Sequence, residues 1–158
     1  MKTILKNEIF DEKTTAELVQ QLQPSLTDLL ALGLMIKQAH WNVQGPHFRS
    51  IHLQLDEIWD TVQESSDEIA ERISTLAVSP SGQAEEIGKN STLSQIPLGF
   101  LKDDDVIDLM TDRIGQTCRS IRERMGKIED TDTVTADMLH GILEKVEKHL
   151  WMMRSQGL

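Results

Sequence analysis

The stretch from about His47 to Leu76 contains neither Pro nor Gly. Within it, Ile51, Leu55, Ile58, Val62, Ile69, Ile73 and Leu76 recur at near-heptad steps, broken only by Ser65-Ser66. That spacing lays one apolar stripe along a single continuous helix of ~45 Å, at ~1.5 Å per residue. Pro80 and Gly82 close it.

Three other stretches keep the same spacing, and strand-like alternation is scarce. The first runs from about Thr15 to Trp41. Leu18, Leu22, Leu29, Ile36 and His40 share its stripe, Leu26, Leu30, Leu34 and Trp41 widen it, and Gly45-Pro46 ends it in a tight turn. The third helix opens at Asp103-Asp104-Asp105, where acids suit the positive end of the helix dipole. Its stripe is Val106, Leu109, Met110, Ile114, Thr117, Ile121 and Ile128. The fourth starts near Thr133 and carries Val134, Met138, Ile142, Val146, Leu150 and Met153. Between the second and third, from about Ser79 to Lys102, lie three Gly and two Pro, which make a connection with a short helix around Ala84–Ile87.

Hairpin, long connection, hairpin is the topology of ferritin-like four-helix bundles. The expected fold is therefore all-α: a ferritin-like four-helix bundle with one long crossover carrying a short helix. Any other soluble four-helix bundle is the competing reading. At 158 residues the chain is one domain, residues 1–158, with residues 1–14 as a short N-terminal tail. The single Cys, Cys118, excludes an intrachain disulfide framework and a Cys-rich metal or iron–sulfur site, and suits a reducing cytosol. No apolar run reaches the ~18 residues of a membrane span, and no secretory signal is expected in Met1–Phe10.

Charge narrows the function. Sixteen Lys and Arg against 26 Asp and Glu leave a net charge of −10, which repels phosphate backbones and attracts cations. The acids are concentrated on the second helix: seven, against Arg72 alone, between Ile51 and Arg72. His52 and Asp56 are four residues apart, as are Asp67 and Glu71, so each pair lies on one face and could grip one ion. With Ile51 at zero and ~100° per residue, the core stripe falls within about 40° of zero, and the four candidates lie between ~100° and ~200°. They share a face that is not the core face. Within one chain the two pairs are ~22 Å apart on a straight helix and cannot meet. Two copies packed antiparallel about a two-fold near Thr61-Val62 would bring each His52/Asp56 pair against the other copy's Asp67/Glu71, which makes two identical mixed sites. Imidazole with carboxylates suits iron(II), manganese or zinc. His40 adds a second imidazole if its helix ends near His52. The competing reading is a solvated acidic face and a core histidine.

Other candidates are weaker. No Glu-x-x-His occurs, so a di-iron centre inside one bundle has no ligands. Asp137 and His140 read as a surface pair, His149 as a packed or capping residue, and His47 as a cap or peripheral ligand. Cys118 reads as packed rather than reactive. Phosphate-loop, dinucleotide-binding, zinc-protease and nucleophile-elbow motifs are absent.

His40-Trp41-Asn42-Val43, then Gly45-Pro46, Phe48, His52-x-x-x-Asp56 and Asp67-Glu68-Ile69-Ala70-Glu71-Arg72-Ile73 together resemble the signature of the Dps family, the miniature ferritins. Lys148-His149-Leu150-Trp151-Met152 is similar to that family's last helix. The resemblance implies a hollow dodecamer built on two-fold dimers. It implies a ferroxidase site with His40, His52 and Asp56 from one subunit and Asp67 and Glu71 from its partner. Iron, at most two ions per site, is the expected metal, with zinc or manganese as substitutes. The implied chemistry is oxidation of iron(II), preferentially by hydrogen peroxide, with iron(III) stored in the cavity and the cell protected from oxidative damage. Trp41 and Trp151 are similar to tryptophans near that site, as radical traps or as helix-end packing. Asp130, Asp132 and Asp137 are expected to line an acidic entry pore; the alternative is that Asp132 or Thr133 simply caps the fourth helix.

The alternative function is a nucleoid-compacting DNA-binding protein without significant catalysis. It needs cationic tails, and here Lys2, Lys6 and Lys13 are offset by Glu8, Asp11 and Glu12, while the other end offers Arg154 and stops at Leu158. Direct DNA binding is therefore not expected, nor is a membrane partner, and the expected location is the cytoplasm, with nucleoid association left open.

Overall fold

A computed structural model describes residues 6–157. The tail position Lys2 and the terminal Leu158 lie outside the described residues. The order of elements is α1 (Glu12–Asn42), β1 (Val43–Gln44), α2 (Phe48–Thr75), α3 (Ala84–Asn90), β2 (Leu101–Lys102), α4 (Asp103–Met125) and α5 (Thr133–Arg154). This is the expected bundle of four long helices with a short one in the crossover. α1 packs on α2 and α4, and α5 closes the bundle against α2 and α4.

Local chemistry sets the boundaries. Asp11 caps α1, its carboxylate accepting from the Thr14 backbone N–H at 2.7 Å. The helix thus takes in Glu12, Lys13 and Thr14, which the sequence reading gave to the tail. Pro24 sits inside α1 and withdraws one N–H. Around it the hydroxyls of Ser25 and Thr27 donate back to the carbonyls of Gln21 and Gln23. Burial along α1 keeps the helix intact: Leu18, Leu22, Leu29, Leu32 and Ile36 are fully enclosed.

Three apolar positions depart from the expected stripes. Leu34 and Trp41 of α1 and Val134 of α5 stay exposed. Ile128 is buried but lies in the turn after α4 rather than on the helix.

Two contacts fix the ends of the crossover. β1 and β2 pair in parallel, Val43 beside Leu101. Next to them Gly45 adopts φ 145°, and a Cβ there would overlap the Asp103 carboxylate. Only Gly meets both conditions. Asp103 accepts from the His47 backbone N–H at 2.8 Å, which holds its carboxyl below the ordinary range. The acid at the start of α4 therefore does more than face the dipole: it staples the α1–α2 turn. Farther along, the fully buried Asp28 of α1 accepts from Thr92 N–H at 2.8 Å and from the Ser91 and Thr92 hydroxyls. It also pairs with Arg124 at 2.8 Å.

Candidate metal centre

The Gly45-Pro46 turn sends α2 back antiparallel to α1, so the last turn of α1 faces the first three turns of α2. His40 comes from the former, His52 and Asp56 from the latter. The two imidazoles stack, ring centroids 3.7 Å apart. Each Nδ1 lies 3.0 Å from the other residue's backbone carbonyl. A carbonyl only accepts, so in this arrangement both Nδ1 atoms carry the hydrogen and each Nε2 keeps its lone pair. This is the outer-shell arrangement that fixes a ligating histidine.

Asp56 completes the cluster. Its Oδ1 lies 3.2 Å from His40 Nδ1. Ligand atoms of His40, His52 and Asp56 fall within 4.8 Å of one another, and among the described residues this trio alone forms such a group. The His40 side chain is 11% exposed, whereas that of Asp56 is 42% exposed, so the cluster opens outward through its carboxylate. A hydrogen bond from the Lys37 ammonium holds the Asp56 carboxyl below the usual range, helped by His40.

Asp67 and Glu71 are on the same helix, both exposed, and do not join the cluster within the chain. α2 runs unbroken between the two pairs, so the ~22 Å offset stands.

Asp132, one of the three acids expected at a pore, takes up the alternative role of helix cap within the chain. It is 5% exposed and caps α5, accepting from Val134 and Thr135 N–H. It also bonds the Thr135 hydroxyl and pairs with Arg72 at 2.6 Å. Burial raises its carboxyl, but the bonds from Thr135 and Arg72 outweigh this and hold it low. Asp130 and Asp137 are exposed. Asp137 lies 3.8 Å from His140, which is also exposed, though less so. His149 is buried against the Thr61 hydroxyl at 2.8 Å, and burial lowers its pKa. His47 occupies the cap position of α2 without a side-chain cap bond. Burial pushes the Cys118 thiol up to about 12, so it carries no thiolate. Trp41 and Trp151 are both exposed.

Sequence reasoning missed Lys37. The available signal was its place one turn before His40, on the same helix face.

The ferritin-like domain family matches residues 19–156. The DNA protection during starvation protein 1 of Deinococcus radiodurans is 31% identical over 156 residues, covering 96% of this chain and 74% of its own. The chain belongs to the Dps family. A second Deinococcus radiodurans relative, DNA protection during starvation protein 2, is 38% identical over 87% of this chain. This chain spans 57% of that relative's length. The solved Dps of Microbacterium arborescens in a high iron form superposes with a TM-score of 0.88 at 27% identity, covering 92% of this chain and 95% of that one. The bundle described above is thus a Dps fold, and the imidazole–carboxylate cluster sits at one end of its α1–α2 hairpin.

Proposed function

We propose that this Dps chain oxidises iron(II), preferentially with hydrogen peroxide, at a site shared between two copies, and stores the iron(III) inside a dodecameric shell. His40, His52 and Asp56 of one subunit hold the iron, and Asp67 and Glu71 of the partner complete the coordination. Membership of the ferritin-like family supports iron storage, and the Microbacterium arborescens structure was solved with high iron. The observation that carries the reading is the convergence of His40, His52 and Asp56, whose ligand atoms lie within 4.8 Å of one another. Imidazole plus carboxylate is a donor set for iron(II), which zinc or manganese can also occupy.

The stoichiometry follows from pairing. Two iron(II) each give one electron, and one hydrogen peroxide with two protons takes both to become two waters. No single-electron cleavage of peroxide is needed, so hydroxyl radical is avoided and the cell is protected. DNA protection, which the relatives' names state, then follows from iron removal without direct DNA contact. Trp41, beside His40, and Trp151 take up stray radicals. No helix among the described residues is long and apolar enough to cross a membrane, and we place the shell in the cytoplasm.

The test is iron oxidation by peroxide under anaerobic conditions. His52→Ala should slow it at least tenfold, while His140→Ala leaves it near normal, because a lone exposed histidine cannot hold iron tightly. The reverse order would move the site to α5.

A further inference from the structure

Asp56 already carries a cation. Lys37 lies one helical turn before His40 on α1 and reaches the same face. Its Nζ is 2.5 Å from Asp56 Oδ1, the oxygen that also lies 3.2 Å from His40 Nδ1. The same Nζ stands 4.5 Å from the centroid of the Trp59 ring, within cation–π range. The Lys37 side chain is only 25% exposed. An ammonium so placed occupies one edge of the carboxylate that the metal needs.

We propose that Lys37 is a positioning residue that competes with the metal for Asp56, and that a divalent ion displaces it fully onto the face of Trp59. The proposal rests on His40, His52 and Asp56 holding the metal. A monovalent ion gains too little from Asp56 to dislodge an ammonium of equal charge, whereas a divalent ion gains twice the attraction. Lys37 thereby lowers the affinity of the site for every cation and biases it toward divalent ones. Trp59 gives the displaced ammonium a seat, so that its charge is not left unpartnered beside an incoming ion.

The experiment uses the intact assembled protein, stripped of metal and titrated with zinc chloride, which is redox-silent. Binding heat and tryptophan emission are followed together. Lys37→Gln should tighten zinc binding at least tenfold, while Lys37→Arg, which keeps the competing cation, should stay near the parent. Zinc should change the emission of the parent, and Lys37→Gln and Trp59→Phe should each remove most of that change. Trp59→Phe should keep the binding heat. Zinc binding that is unchanged or weaker in Lys37→Gln would show that the lysine braces Asp56 rather than competes for it, and overturns the proposal. Zinc binding that survives His52→Ala unchanged overturns the metal reading, and the proposal with it. Loss of binding in His52→Ala with no tightening in Lys37→Gln overturns the role of Lys37 alone.

Discussion

Asp132 shows how one carboxylate can serve two elements. It caps α5 and neutralises Arg72 of α2, whose side chain is 18% exposed. Asn in its place would keep an acceptor for the cap but strip Arg72 of its charged partner. Asp132→Asn should therefore cost about 1–3 kcal/mol, and Asp132→Ala about 1 kcal/mol more through the lost cap. The pH dependence has a defined sign. The folded carboxyl titrates below its ordinary value of 3.8. Its stabilisation is thus fully present above that value and is lost as pH falls through the folded pKa. Denaturant titrations of the parent and Asp132→Asn should differ most above about pH 5, and the gap should narrow progressively as acid protonates the folded carboxyl. A gap that widened in acid would contradict the ion pair. At this scale the sequence was legible where geometry is local. His52 and Asp56 share a helix face by their spacing, and the Gly45-Pro46 turn brings His40 to them. Lys37 was not legible, because a lysine on a helix face ordinarily points to water. Asp132 was read partly, as a cap; its partner Arg72 is 60 positions away, and no local pattern links them.

Among the elements, the long helices were readable because an apolar stripe of period 3.6 is written over many turns. Their ends were less so: caps such as Asp11 compete with neighbouring acids that look equivalent in sequence. The short helix in the crossover was expected at Ala84–Ile87 and runs on to Asn90. What escaped is the anchoring of the crossover by Asp28, because a lone acid in an apolar stretch does not show its partners. Asp28 accepts bonds from the crossover at Ser91 and Thr92 and pairs with Arg124 of α4, so it ties three segments together. Asp28→Ala leaves Arg124 with a buried uncompensated charge, at a cost of about 3–5 kcal/mol. Amide exchange in residues 91–96 should rise more than in α2. Equal loosening everywhere would show that the crossover is held by Ile87, Leu93 and Ile96 alone.

For the whole molecule, the excess of negative charge matters at openings. With Asp132 committed to Arg72, the proposed entry pore rests on Asp130 and Asp137, both exposed where α5 begins. Around a three-fold axis, three copies would concentrate iron(II) by a field that salt screens over ~10 Å at 0.1 M. Asp130→Asn with Asp137→Asn should slow iron uptake at low ionic strength and converge with the parent at high salt. Uptake kinetics unchanged at both would remove the pore role.

The shared site is the central claim of the proposed function. His40, His52 and Asp56 converge in one chain, and Asp67 and Glu71 stand ~22 Å along the same helix. Its most direct test is subunit mixing. Asp56→Ala and Glu71→Ala chains, each inactive by itself, are unfolded together, co-assembled and assayed for iron oxidation. Each mixed dimer regains one intact site of two. Random pairing at equal amounts therefore predicts recovery of about a quarter of the parent activity. No recovery at any mixing ratio, in assemblies shown to contain both chains, would contradict the shared site.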